Sequence, residues 1–158
     1  MTNPAGAKSQ VIGVFNPVLI RDIANVMKNL GSRHVLVVNG DGLDEITIAG
    51  KTKAAELKNG NVKTYDINPE DYGFDISPLN AILGGDAQEN AKIITDILKG
   101  AKGPKRDVVL LNAGAAIYVS GKVSSLKQGI EAAKQSIDSG AAMKKLGALK
   151  EFTNMIKK

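Results

Sequence analysis

Two periods of apolar residues alternate along this chain. Val11-Ile12-Gly13-Val14-Phe15 and Val35-Leu36-Val37-Val38 are short, nearly unbroken aliphatic runs. Strands buried on both faces of a parallel sheet read this way, whereas half-exposed strands alternate. Between them, Leu19, Ile23, Val26 and Leu30 recur at spacings of four, three and four, the single stripe of an amphipathic helix. Asn16 suits the N-cap of that helix and Pro17 its first position, where a missing N–H costs nothing. Gly31 stands where a left-handed cap closes the last turn. Strand, helix and strand with short connections predict a βαβ unit and a parallel sheet.

Downstream the pattern is less regular. Glu45-Ile46-Thr47-Ile48-Ala49 and Val62-Lys63-Thr64-Tyr65-Asp66 read as shorter strands, with Asn59-Gly60-Asn61 as a turn. Residues 68–83 are mixed, with a loop at Pro69-Glu70-Asp71-Tyr72-Gly73 and one helical turn opened by Pro78. A second helix starts after Gly84-Gly85: Asp86 and Glu89 have capping-box spacing, Ala91, Ile94, Ile97 and Leu98 form the apolar face, and Gly100 ends it. Gly103-Pro104 reads as a connector and Val108-Val109-Leu110-Leu111 as another buried strand. The small residues Asn112-Ala113-Gly114-Ala115-Ala116 allow a neighbouring backbone to come close. Two terminal helices follow, with stripes Leu126, Ile130, Ala133, Ile137 and Leu146, Leu149, Phe152, Ile156. No internal repeat, low-complexity segment or second domain stands out.

Composition narrows the picture. With 158 residues, 43% of them hydrophobic and 23% charged, the chain is one domain with enough material for a core. It has no cysteine, which excludes disulfides, thiolate metal sites and cysteine nucleophiles. No apolar stretch approaches the roughly 20 residues of a membrane span, and the opening residues lack a signal-peptide apolar region. A cytoplasmic protein is the simplest expectation. The formal charge of +5 suits an anionic partner, though many solvated helix faces carry such an excess.

The densest candidate chemistry is Asp41-Gly42-Leu43-Asp44-Glu45, three carboxylates directly after the apolar run Val35 to Val38. In open α/β sheets, ligands bind beyond the carboxyl ends of the strands. Mg²⁺ prefers oxygen, keeps much of its water and is held by one or two carboxylates together with substrate phosphates. Asp44 and Glu45 are the expected ligands, and Asp41 shapes the turn. The competing reading is a solvated loop doing ordinary Asp and Gly turn chemistry. The alternating ligands of an EF-hand are missing.

Other candidates have weaker support. Gly84-Gly85 could offer N–H groups to a phosphate, but it lacks the Lys and Ser/Thr of a P-loop, and a structural turn is the better reading. His34 is the only histidine, so Ser-His-Asp and multi-histidine metal chemistry have no support, and a surface position is expected for it. Lys144, Lys145, Lys150, Lys157 and Lys158 make the last helix basic. Stacking on nucleic acid would call for aromatics, which are 4% of the chain with no Trp.

Taken together, Asn3-Pro4-Ala5, Gln10-Val11-Ile12-Gly13-Val14, the Asp41–Glu45 turn, Gly103-Pro104-Lys105-Arg106-Asp107, Leu111-Asn112-Ala113-Gly114-Ala115-Ala116-Ile117-Tyr118 and Ile137-Asp138-Ser139-Gly140-Ala141 occur in an order and spacing that resembles the carboxyl-terminal half of the anthranilate phosphoribosyltransferases. The resemblance covers nearly the whole chain. It implies an α/β fold with a mostly parallel central sheet flanked by helices, of the nucleoside phosphorylase/phosphoribosyltransferase type and truncated at its N-terminal side. It also implies a reaction of tryptophan biosynthesis in which anthranilate attacks C1 of phosphoribosyl pyrophosphate and releases pyrophosphate. Mg²⁺ is the family's cofactor, and its acidic metal-binding pair carries over to Asp44 and Glu45. Anthranilate brings its own amine, so the absence of a protein nucleophile is no objection.

The chain departs from the family pattern at Asn39, where many relatives carry His. The family's amino-terminal helical domain, glycine-rich pyrophosphate loop and Lys-His-Gly-Asn-type segment are not found in residues 1–158. The expectation is therefore a fragment, inactive alone, prone to self-association through an uncovered sheet edge or completed by a second chain. The alternative is a non-catalytic, nucleic-acid-binding relative of the same fold, against which the acidic pair argues. A pyrimidine nucleoside phosphorylase is a weaker third reading.

Overall fold

A computed structural model describes residues 5–155. A four-stranded sheet in the order β1-β2-β3-β4 lies between helix α1 on one face and α3 with α4 on the other. The strands are β1 (Ser9–Gly13), β2 (His34–Asn39), β3 (Thr52–Lys58) and β4 (Asn61–Ile67). The helices are α1 (Ile20–Asn29), α2 (Ala87–Leu98), α3 (Pro104–Val119), α4 (Leu126–Asp138) and α5 (Ala141–Met155).

Strand β2 is buried along its full length, as its unbroken apolar run requires. Val35 and Val37 share a core with Ile20, Ala24 and Met27 around α1, while Leu36 and Val38, on the opposite face, share one with Leu110 and Leu111 of α3 and Ile130 of α4, which packs on α3. The βαβ unit forms as expected: β1 pairs parallel with β2 across α1. The Asn16 side chain accepts from the Val18 N–H at 3.0 Å, and a 3₁₀ turn at Pro17–Leu19 leads into α1.

The rest of the sheet corrects the expectation of a mostly parallel one. The β2–β3 and β3–β4 pairs are antiparallel, so only the β1–β2 pair is parallel. Strand β3 reads Thr-Lys-Ala-Ala-Glu-Leu-Lys, mostly helix-forming residues, and is invisible to propensity. Pairing on both sides overrides that preference. The turn from β3 to β4 falls at Asn59-Gly60, both with positive φ, as a tight hairpin needs.

Two expected strands are absent. Residues 45–49 form none: Asn112 holds both backbone groups of Ile46, the Thr47 N–H donates to Thr52 Oγ1, and the Ala49 N–H to Thr47 Oγ1. Side chains thus take the place of a ladder while Ile46 and Ile48 stay buried. Val108 to Leu111 lies inside α3. Pro104 opens that helix, and Leu110, Leu111, Gly114, Ala115, Tyr118 and Val119 are buried at helical spacing. A four-residue apolar run does not distinguish strand from helix; the sixteen-residue element decides it.

The close approach allowed by small residues is present where α3 meets α4. A Cβ on Gly114 would stand 2.6 Å from Ile130 Cγ1, and one on Gly129 would strike the Gly114 carbonyl oxygen. The stripe Leu126, Ile130, Ala133, Ile137 is buried in full. Helix α5 differs: it has no buried residue, Leu149 and Phe152 are exposed, and Ala142 packs against the core. Ile156, Lys157 and Lys158, together with Asn3 and Pro4, lie outside the described residues.

Candidate metal-binding turn

The acidic turn stands at the carboxyl ends of β1 and β2. Asp41 (φ 53°) and Gly42 (φ 91°) form the corner of a two-residue hairpin, closed by Gly40 N–H to Leu43 O at 2.8 Å and Leu43 N–H to Gly40 O at 3.2 Å. Two successive positive φ values define a type I′ turn, where Asp-Gly is favoured. Asp41 is thereby committed to the turn, and Asp44 and Glu45 follow it on the surface.

What positions the pair lies beneath it. A Cβ at Gly13, the last residue of β1, would overlap the Asp44 carbonyl oxygen, and one at Gly40 would strike the Glu45 carbonyl oxygen. The backbone of the acidic pair therefore rests directly on the ends of two neighbouring strands. Asn112 on α3 forms a clasp: its Oδ1 accepts from the Ile46 N–H at 2.9 Å, while its Nδ2 donates to Ile46 O at 2.7 Å and Val108 O at 2.9 Å. Asn39, buried at the end of β2, donates from Nδ2 to Val14 O at 2.7 Å and ties the two strand ends together.

No local pattern marks Gly13, Gly40 or Asn112 as site residues. The one signal is the small-residue stretch that contains Asn112, whose partner is 66 positions away.

Electrostatically the pair is left open. Neither Asp44 nor Glu45 enters a salt bridge among the described residues. The Glu45 carboxyl is pushed above its usual range, first by partial burial and then by the Asp44 charge. Two adjacent carboxylates without a cation, one of them raised by the other, form a donor set that a hard divalent ion relieves. Among the described residues no group of three or more His, Cys, Asp or Glu is arranged to hold a metal. An ion here would rest on two carboxylates and take its remaining ligands from water or substrate, which is Mg²⁺ chemistry rather than an all-protein cage.

The other candidates resolve differently. At Gly84-Gly85 the side chain of Asn90 accepts from the Gly85 N–H at 3.0 Å and donates to Gly85 O at 2.8 Å. Asp86 caps Glu89 N–H at 2.8 Å. Those donors are taken, which fits the structural-turn reading. His34, expected at the surface, is 8% exposed. Its Nε2 lies 2.7 Å from Glu56 Oε1, and its ring meets Tyr118 edge-on at 4.7 Å. Pairing with β3 and coverage by α3 bury it, and sequence pattern predicts neither element there. Lys144, Lys145 and Lys150 are exposed positions on α5.

A mixed sheet between helix layers, with an acidic turn at its strand ends, defines a class. Residues 1–143 match the model of the glycosyl transferase family a/b domain, and the chain belongs to that family. It is similar to anthranilate phosphoribosyltransferase of Acetivibrio thermocellus, with 50% identity over 98% of this chain and 45% of that protein. The enzyme of that name from Methanosarcina mazei is 51% identical over 97% of this chain and 41% of its own length. Among solved structures, anthranilate phosphoribosyltransferase of Thermus thermophilus superposes with a TM-score of 0.83 at 41% identity, over 90% of this chain and 42% of that one. The Saccharomyces cerevisiae enzyme in complex with PRPP and Mg gives 0.78 at 28% identity, over 88% and 41%. The chain thus spans less than half the length of these relatives.

Proposed function

We propose that this chain carries the metal-binding part of an anthranilate phosphoribosyltransferase, with Asp44 and Glu45 as the Mg²⁺ ligands. The observation that supports this most is the pinned acidic pair: its backbone is locked to two strand ends and its carboxylates have no salt-bridge partner among the described residues. The names of relatives that match nearly all of the chain point the same way, one of them a complex with PRPP and Mg.

In this reading the substrates are phosphoribosyl pyrophosphate and anthranilate. The bound cation supplies charge neutralisation for the pyrophosphate leaving group. The residues of this chain do the positioning. Asp44 and Glu45 would hold the ion, Gly13 and Gly40 let their backbone settle on the strand ends, and Asn112 keeps the segment from retreating. Such fixed geometry carries much of the catalysis when the nucleophile belongs to the substrate. Turnover then needs the further length that the relatives possess, supplied in the same polypeptide or by a complementing chain. The 158 residues alone are expected to show no phosphoribosyl transfer, and β1, an edge of the sheet, is where self-association would begin.

Mn²⁺ titration followed by paramagnetic broadening of amide resonances tests the assignment. Broadening centred on residues 41–46, weakened about tenfold or more by Asp44→Asn or Glu45→Gln, is the expected result. Broadening that ignores both substitutions would remove the pair from the metal site. Phosphoribosyl transfer by the purified chain would refute the claim that more length is needed.

A further inference from the structure

Away from the acidic turn, Arg106 leaves a polar group unaccounted for. It stands in the first turn of α3 and is 2% exposed. Its Nη2 donates to Asp138 Oδ1 at 2.7 Å, and that guanidinium holds the Asp138 carboxyl below its usual range. Its Nη1 is buried and has no hydrogen-bond partner among the described residues. A buried donor on a charged group is costly to leave unmade and calls for an ion, a water or a ligand to explain it.

The same arginine lines a cavity of about 420 Å³, within the range of small-molecule sites. Lys102 and Lys134 bring two further cations to the wall, and Asp75, Asp107 and Glu131 bring three carboxylates. These charges do not simply cancel in pairs. Arg106 and Lys102 share a single carboxylate, Asp138, at 2.7 and 3.8 Å. On the acidic side, burial and then the neighbouring Asp75 push the Asp107 carboxyl up, against the pull of Arg106 and Lys102. Tyr72, Phe74, Leu110 and Ile130 supply apolar surface beside them.

We propose that this cavity binds a small zwitterion of the α-amino-acid class, with its carboxylate on Arg106, Lys102 and Lys134 and its ammonium toward Asp75, Asp107 and Glu131. A bare oxyanion would meet three carboxylates, and a bare amine would meet three cations. A ligand with both signs pairs with both sets, and an aromatic body fits against Tyr72 and Phe74. The site is distinct from the acidic turn but mechanically joined to it. Asn112 lies six residues beyond Arg106 on α3, about 9 Å of helical rise, so occupancy bears on the helix that clasps the metal-binding segment.

The test is an NMR titration of the metal-free 158-residue chain with L-phenylalanine, phenethylamine and 3-phenylpropanoate. Phenylalanine is expected to shift amides in residues 102–110 and 130–134 saturably. Each single-charge analogue should bind about tenfold more weakly. Arg106→Gln removes the buried, nearer partner of Asp138 and risks the fold, so the informative variant is the double substitution Lys102→Gln with Lys134→Gln on the cavity wall, which should weaken phenylalanine about fivefold or more. The proposal is overturned by an absence of saturable shifts in those segments, by analogues that bind as tightly as phenylalanine, or by indifference to the double substitution.

Discussion

Strand β2 ends in two carboxylate sites built on opposite principles. At its start, Glu56 is saturated: Oε1 lies 2.7 Å from His34 Nε2 and accepts from Tyr118 Oη at 2.7 Å, while Oε2 accepts from Tyr65 Oη at 3.2 Å. Lys58 caps the arrangement from 3.1 Å on Tyr118 Oη. Burial first, and then the charge of Glu56, raises the Tyr65 hydroxyl above its usual range. At the far end, across the six residues of the strand and about 17 Å away, Asp44 and Glu45 have a tightly fixed backbone and no salt-bridge partner among the described residues. The first end spends its carboxylate on internal hydrogen bonds. The second leaves its carboxylates available, which is what the proposed metal site requires.

The largest expected effect tests what underlies the open end. Gly13→Ala places a methyl on the Asp44 carbonyl, forces backbone to move, and should cost about 3 kcal/mol in urea unfolding. It should also weaken Mn²⁺ binding. Full retention of both would mean that the strand-end contact does not position the pair. Next comes Glu56→Ala at the closed end, where three side chains lose their acceptor. A loss of about 2 kcal/mol is expected, with Mn²⁺ affinity unchanged. A parallel fall in metal affinity would show that the two ends are one coupled network.

The smallest effect is the most diagnostic. Because the folded state raises the Glu45 carboxyl, it binds that proton more readily than the unfolded chain does. Stability from this group is therefore present below the ordinary glutamate value of 4.5 and lost as pH rises through the raised folded value. Glu45→Gln should then stabilise the protein slightly at neutral pH, by roughly a few tenths of a kcal/mol at this exposed position. The gain should disappear below about pH 4, as thermal melts across pH would read out. Glu45→Gln that destabilises at neutral pH would mean Glu45 has an attractive partner in the fold.

Much is legible from local pattern. The βαβ unit, the Asn59-Gly60 turn, the Asp86 cap, the buried α4 stripe and the place of Asp41 in the turn each depend on residues close in sequence, where periodicity and turn chemistry act. Local pattern fails where distant partners decide. Propensity hides β3 because its Ala, Glu, Leu and Lys are held extended by neighbours on both sides. Residues 45–49 and 108–111 resemble strands because a short apolar run says buried, not extended. His34 looks like a surface residue because Glu56 and Tyr118, which enclose it, lie 22 and 84 positions away.

By itself, then, the sequence determined the class of the fold and the family likeness, and it placed the acidic pair after a buried strand. Those follow from short-range order: side-chain periodicity, caps and turns. Only the tertiary structure decided that the sheet is mixed, that Gly13, Gly40 and Asn112 fix the backbone of the pair, and that Arg106 keeps an unpaired nitrogen beside a cavity. Each of these depends on contacts between segments far apart in the chain, whose geometry no local pattern encodes.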